Sequence, residues 1–318
     1  MPFKSEKRDS SEALVLEWKM QVKHYVLMLD KQRCVGCQIC TVACPKAAIT
    51  ANKQPKIVGQ AAKKPRIDID QAKCNFCGVC DVFCPYGAVK VTVNGSHELS
   101  VISKESYPQL TRDITVDTRK CDKECTACEA ACPLKLIKIS KVGFDGKPVQ
   151  DVFKLSPTGK RRVQVTVDIA KEYCPTCRAC EYKCGPGAVT IKKAYEGKIK
   201  IKKQKCPEGC HDCADVCPIT GTLTIGSDGK VHLNDQTCSF CGACANVCPE
   251  PQALTLERTK VLHSQVHSGA WNKTLERITS PDYAAKEFTA QAAQIRRKIV
   301  DKRFIVEEMK KNERTRID

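Results

Sequence analysis

The chain is poor in aromatics, with 2 tryptophans, 7 tyrosines and 8 phenylalanines among 318 residues. Large aromatic-centred cores are therefore not expected. No apolar run approaches the ~18 residues that a membrane-spanning helix needs. The N-terminal stretch MPFKSEKRDSSE lacks the apolar segment of a secretory signal. Together these absences predict a cytoplasmic chain with no membrane span. No G-x-G-x-x-G or G-x4-G-K-[ST] run is present, so no phosphate cradle for a nucleotide is legible. The 6 histidines fall at no ligand spacing, and His211 reads as a surface loop residue. Aromatic and basic residues do not interleave into a stacking surface, so nucleic acid is not expected as a partner.

What the chain has is cysteine. All 24 fall in six runs: CVGCQICTVACP (34–45), CNFCGVCDVFCP (74–85), CDKECTACEAACP (121–133), CPTCRACEYKCGP (174–186), CPEGCHDCADVCP (206–218) and CSFCGACANVCP (238–249). None is left over. Disulfides would need an oxidising compartment, and four cysteines within about eleven residues do not easily find bridging geometry. Zinc favours C-x2-C pairs set apart by a longer spacer. The spacing C-x2-C-x2-C-x3-C-P is instead that of bacterial-type iron–sulfur sites, where the fourth cysteine ligates the other cluster of a pair. Units of about 60–90 residues bury little apolar surface and benefit from such staples.

The net charge of +17 would by itself suggest an acidic partner. Four thiolates around an oxidised four-iron cluster contribute about −2, so six such clusters leave about +5. Much of the basic excess then offsets the cofactors.

The flanks repeat with the cysteines. MLDKQRC, IDIDQAKC, ITVDTRKC, TVDIAKEYC, IKIKKQKC and VHLNDQTC precede the runs, and KAAIT, YGAVKVTV, LKLIKIS, GAVTIKK, GTLTIG and QALTLER follow them. Their alternation predicts short strands, joined by turn signals such as VNGS at 93–96 and SDGK at 227–230. Each copy reads as strand, cysteine loop, helical turn, strand. Gly36, Gly78, Gly209 and Gly242 read either as left-handed backbone that turns amides towards sulfur or as ordinary turn glycines.

Neighbour pairing of the copies is favoured, because sequential elements are usually adjacent. A nested order, with copies four and five between three and six, stays open. Neighbour pairing predicts six [4Fe-4S] sites with crossed ligands. In the first pair, Cys34, Cys37 and Cys40 go with Cys84, and Cys74, Cys77 and Cys80 with Cys44. In the second, Cys121, Cys125 and Cys128 go with Cys184, and Cys174, Cys177 and Cys180 with Cys132. In the third, Cys206, Cys210 and Cys213 go with Cys248, and Cys238, Cys241 and Cys244 with Cys217. All 24 cysteines are thus iron ligands and none is catalytic. The expected fold is α+β: three tandem bacterial-type two-[4Fe-4S] ferredoxin units at 25–110, 111–199 and 200–265. An extension at 1–24 precedes them, read as an extra strand on the first unit, and a helical tail at 266–318 follows.

Copies three and five read C-x3-C-x2-C, which is also the spacing of radical S-adenosylmethionine enzymes. A fourth cysteine, Cys132 or Cys217, follows each, and no chain remains for a ~200-residue barrel, so a one-residue insertion in a closed site is the simpler reading. In copy four the proline is displaced (Cys184-Gly185-Pro186), which predicts altered amides near that sulfur. With every cysteine assigned, an enzyme with its own substrate site is disfavoured. An electron-transfer chain with six clusters in a row is favoured.

The sequence resembles the archaeal polyferredoxins, and is most similar to the polyferredoxin subunits of tungsten or molybdenum formylmethanofuran dehydrogenase. The resemblance rests on CVGCQICTVACPKAAI, PRIDIDQAKCNFCGVCDVFCPYGAVKVTVNG, YPQLTRDITVDTRKC and GAWNKTLERITSPDYAAKEF, and runs over most of 25–290. It implies a non-catalytic subunit relaying low-potential electrons to catalytic subunits that reduce carbon dioxide to formate and attach it to methanofuran. The implied partners are those subunits, a small ferredoxin subunit, and a heterodisulfide reductase or hydrogenase. Polyferredoxins of hydrogenases or heterodisulfide reductase are the alternative. Members of the family carry four two-cluster units; this chain carries three.

In the tail, Ser280-Pro281-Asp282 is a helix start. Phe288, Ala292, Ile295, Ile299, Val306 and Met309 form an apolar stripe opposite Arg296, Arg297, Lys298, Lys302 and Arg303. This helix, with the Trp271 segment before it, is expected to dock on a neighbouring subunit; a helix folded back along its own chain is the alternative.

Overall fold

A computed structural model describes residues 4–57, 60–149, 152, 154–156, 158–159 and 162–280, with the isolated positions 289, 293 and 297. Its organisation follows from the way strands on either side of one cysteine run pair with those of the next. In the first pair of copies, β3 (His24–Asp30) precedes copy one and pairs antiparallel with β6 (Val89–Val93), which follows copy two. β4 (Ile49–Asn52) and β5 (Arg66–Ile69), between the copies, pair with each other. The helical turns α1 (Ile39–Ala43) and α2 (Val79–Val82) lie against one another. N-terminally, β1 (Lys4–Asp9) and β2 (Ala13–Lys19) widen the sheet to the order β1-β2-β3-β6. Leu14, Leu16, Leu27 and Leu29 alternate inwards from β2 and β3, and all four are buried.

After the connecting turn α3 (Ser100–Ser103), the pattern recurs. β7 (Ile114–Val116) pairs with β10 (Val189–Ile191), and β8 (Ile137–Val142) with β9 (Gln164–Ile169), around α4 (Ala127–Ala131) and α5 (Ala179–Tyr182). The third time, β11 (Tyr195–Ile201) pairs with β14 (Leu254–Val261), and β12 (Leu223–Ile225) with β13 (Val231–Leu233), around α6 (Asp212–Asp215) and α7 (Ala243–Val247). The strands thus join neighbouring copies each time, not the nested set. β11 bulges between Glu196 and Gly197. A Cβ at Gly197 would collide with the Glu257 carbonyl oxygen, so only glycine allows the strands to lie this close.

The three units do not form a row. The chain leaving the first crosses the chain leaving the third: Thr111 N donates to Leu262 O (2.9 Å) and Ser264 N to Gln109 O (3.0 Å). From the opposite side, the loop between β4 and β5 reaches α6, where Lys56 pairs with Asp212 (2.7 Å) and Ala62 N donates to Asp215 (2.9 Å). Between the units lies a shared core containing Phe83, Tyr107, Tyr195, Phe240 and Trp271. Low aromatic content therefore does not exclude an aromatic core. The few large rings are concentrated where several units must be filled against one another.

Trp271 corrects the sequence-based expectation for its segment. It lies on α8 (Gly269–Thr279), is 1% exposed, and stacks on Phe83 with ring centroids 4.9 Å apart and planes within 8°. His263 meets it edge-on at 4.8 Å. This segment completes the protein's own core, because the indole fills a hollow that no ferredoxin unit closes alone. Pro281, Asp282 and the apolar and basic faces from Phe288 to Met309 and from Arg296 to Arg303 lie outside the described residues, apart from the isolated position Arg297. Truncating a buried tryptophan costs about 3–5 kcal/mol. Trp271→Ala is expected to lower the urea midpoint for loss of far-UV circular dichroism under anoxia, and Trp271→Phe to restore most of it. An unchanged midpoint in the alanine variant would show that this core does not hold the units together.

Candidate metal centres

Each cysteine loop is shaped by left-handed backbone. In the four copies spaced C-x2-C-x2-C, two positions have positive φ: Gly36 and Gln38, Phe76 and Gly78, Thr176 and Arg178, Phe240 and Gly242, between 52° and 91°. The conformation turns N–H groups inward onto sulfur. The Gly36 and Ile39 amides serve Cys34 and Cys37, those of Phe76 and Val79 serve Cys74 and Cys77, and Phe240 N donates to Cys238 Sγ at 3.3 Å. The expected glycines at 36, 78, 209 and 242 are all left-handed. The motif search missed the non-glycine positions, each costing about 1–3 kcal/mol of strain held by its surroundings. Phe76 and Phe240 are buried, and Thr176, fully enclosed, accepts a hydrogen bond from Ala194 N at 2.7 Å through Oγ1. Aligning the copies, rather than searching for glycine, would have revealed these positions.

Copies three and five take another route. Thr126 and His211 precede their helical turns at φ −130° and −134°, so the inserted residue replaces the left-handed step at this point. His211 is exposed and paired with Asp215 at 2.9 Å, as a surface loop residue. In copies one to four the fourth cysteine is also met by an amide four residues on. Ala48 N donates to Cys44 Sγ (3.3 Å), and Ala88, Leu136 and Ala188 to Cys84, Cys132 and Cys184 (3.2 Å each). The displaced proline of copy four therefore leaves this bond as it is elsewhere, contrary to expectation.

The crossing of the chain brings thiols of neighbouring copies together. Cys84 acts electrostatically on Cys34, Cys37 and Cys40, and Cys44 on Cys74, Cys77 and Cys80. One small cavity is lined by Cys121, Cys125, Cys128 and Cys184, another by Cys174, Cys177, Cys180 and Cys132, and a third by Cys238, Cys241, Cys244 and Cys217. Cys248 lies within reach of Cys206, Cys210 and Cys213. Among the described residues, no three or more Cys, His, Asp or Glu converge tightly enough for a single ion. The thiols surround a space instead.

Burial is the first cause that pushes these thiols up: Cys174 and Cys217 to about 11, Cys180, Cys213 and Cys238 to about 12, and Cys40 and Cys244 further. Neighbouring thiols add repulsion and amides oppose it. A soft, positively charged group would reverse this balance by taking the thiolate form. Four convergent sulfurs with inward amides fit a thiolate-ligated iron–sulfur cluster.

Three of the quartets are also close to one another. Cys37, from the first unit, acts on Cys241 of the third, and Cys217, of the third, on Cys177 of the second. Asn246 Nδ2 donates to Gly36 O at 3.0 Å across the same junction. The expected row of sites is thus a junction of three central quartets, each with an outer quartet beyond it.

Residues 33–88 and residues 198–270 each match a family described as a 4Fe-4S dicluster domain. No curated protein matches the chain. Among solved structures, the chain is similar to one in the formate dehydrogenase–heterodisulfide reductase–formylmethanofuran dehydrogenase complex from Methanospirillum hungatei. Identity is 28%, the TM-score 0.73, and the match covers 87% of this chain and 91% of that one. Among the described residues no helix is long and apolar enough to cross a membrane. The chain carries two 4Fe–4S dicluster ferredoxin domains and is an iron–sulfur electron-transfer protein.

Proposed function

We propose that the chain is a polyferredoxin subunit that carries electrons to formylmethanofuran dehydrogenase through six [4Fe-4S] sites, two in each strand-paired unit. The observation that carries this reading is the likeness over 87% of the chain to a subunit of a complex containing that enzyme. The second unit, between the two matched dicluster domains, has the same strand pairing and the same cysteine quartets as its neighbours. The ligands are the crossed sets of neighbouring copies, and the boundary expected at 199/200 moves back to before Tyr195, because β11 pairs with β14 of the third unit.

A four-iron cluster bound by four thiolates exchanges one electron at low potential. The chain's own part is to hold the thiolates, aim amides at them, and withdraw them from water. No cysteine is left to open a coordination position for a substrate. The isolated chain is therefore expected to exchange electrons with a low-potential dye and to show no methanofuran- or formate-dependent turnover. Such turnover would reject the reading. A heterodisulfide reductase or hydrogenase is the alternative destination. Anoxic purification from the native source followed by identification of the accompanying chains separates these readings.

Crossed ligation has its own test. Cys84→Ala is expected to remove about four irons, those held with Cys34, Cys37 and Cys40, and to leave the second and third units loaded. Loss of a site bound by copies three to six would contradict it.

The residues after Ser280 are the remaining candidate for anchoring the subunit. Truncation after Ser280 is expected to preserve iron and visible absorption while abolishing co-purification with partner subunits. Full assembly of the shortened chain would show that the anchor lies elsewhere.

A further inference from the structure

Two arginines are half-buried where the units meet, and neither belongs to a cysteine run. Arg112, from the chain linking the first and second units, donates from Nη2 to Cys84 O (2.7 Å) and from Nε to Cys174 O (3.1 Å). One guanidinium thus spans two central quartets. Arg258, on β14, donates from Nε to Phe240 O (2.9 Å) and from Nη2 to Cys241 O. A Cβ at Gly242 would lie 2.8 Å from Arg258 Nη2 and 3.8 Å from Cys37 O, so this head group stands at the junction with the first unit. Between the arginines is the buried Tyr195, whose hydroxyl donates to Phe83 O at 2.7 Å. Both guanidiniums act electrostatically on it. No carboxylate pairs with either head group among the ion pairs of the described residues.

Arginine keeps its charge even when poorly solvated. A fixed cation near a site that gains an electron stabilises the reduced form, and more strongly where water is excluded. Lysines also lie near the quartets: Lys46, near the outer Cys77, is exposed and its field is screened, whereas the half-buried Lys193, near the central Cys177 and Cys238, adds to the field of the arginines.

We propose that Arg112 and Arg258 set the potentials of the three central sites above those of the three outer ones, so that the junction collects electrons entering through any arm. This rests on the reading of the cysteine quartets as cluster sites. The two arginines are tuning residues: they touch the backbone of ligating cysteines, not the reacting atoms. Because they work by charge, the conservative and neutral replacements must differ.

The test is a redox titration of the full chain, purified under anoxia and followed by electron paramagnetic resonance, with iron measured on every sample. In Arg112→Gln and Arg258→Gln the fraction of spins reduced first should shift to lower potential. A tenfold loss in reduction equilibrium would appear as about 59 mV for one electron. Arg112→Lys and Arg258→Lys should keep most of the wild-type potential, and Lys46→Gln should be unshifted. Full iron with unshifted potentials in both glutamine variants would overturn the proposal. So would equal shifts in the lysine and glutamine variants, or loss of iron in both glutamine variants, since the arginines would then be only ties between loops. A wild-type iron content far below about 24 per chain would instead reject the cluster reading itself.

Discussion

The structure depends on one constraint: the fourth sulfur of each quartet comes from the neighbouring copy. A single cysteine run presents three thiols on one loop and sends its fourth away along a helical turn. To bring Cys84 to Cys34, Cys37 and Cys40, the copies must face each other, and the helical turns α1 and α2 must lie in contact. The strands then have little freedom. The outer ones, β3 and β6, pair across the unit, and the inner ones, β4 and β5, pair beside it. Ligand crossing and strand pairing are two views of one geometry, which is why the pattern recurs around α4 and α5, and around α6 and α7.

Such units bury few large side chains internally, since much of each interior is given to the cysteine loops. Stability must come from elsewhere. The first unit gains β1 and β2, with their alternating leucines. The first and third gain from the shared core of Phe83, Tyr195, Phe240 and Trp271. This core has a functional consequence, because it brings a quartet of the first unit up to one of the third. Electron transfer weakens steeply with distance, so a packed junction suits a relay. Packing the units together also half-buries Arg112 and Arg258, so that water screens their charge less than at an open surface. The same contacts that stabilise the assembly thereby raise the electrostatic influence of the two arginines.

The sequence made the local chemistry legible and left the assembly hidden. Cysteine spacing announces the loops, and alternation in stretches such as ITVDTRKC and YGAVKVTV announces the strands, because both are short-range constraints. Gly36 and Gly78 announce left-handed backbone; Phe76, Gln38 and Thr176 adopt it without announcing it, because tertiary packing overrides their preference. Arg112, Arg258 and Trp271 carry no motif. Their partners lie in other units, and no periodicity in one sequence encodes such contacts. The Trp271 segment looked like an anchor because an exposed amphipathic helix and one that closes its own core have the same pattern. Only its position against Phe83 distinguishes them.

The most direct test of the account is anomalous diffraction at the iron edge from crystals of the anoxically purified chain. It predicts six separate four-iron centres, each between three cysteines of one copy and the fourth of its neighbour. Three should be grouped around Arg112 and Arg258, with one beyond each. Iron confined within single copies, or six centres strung in a line, would contradict it.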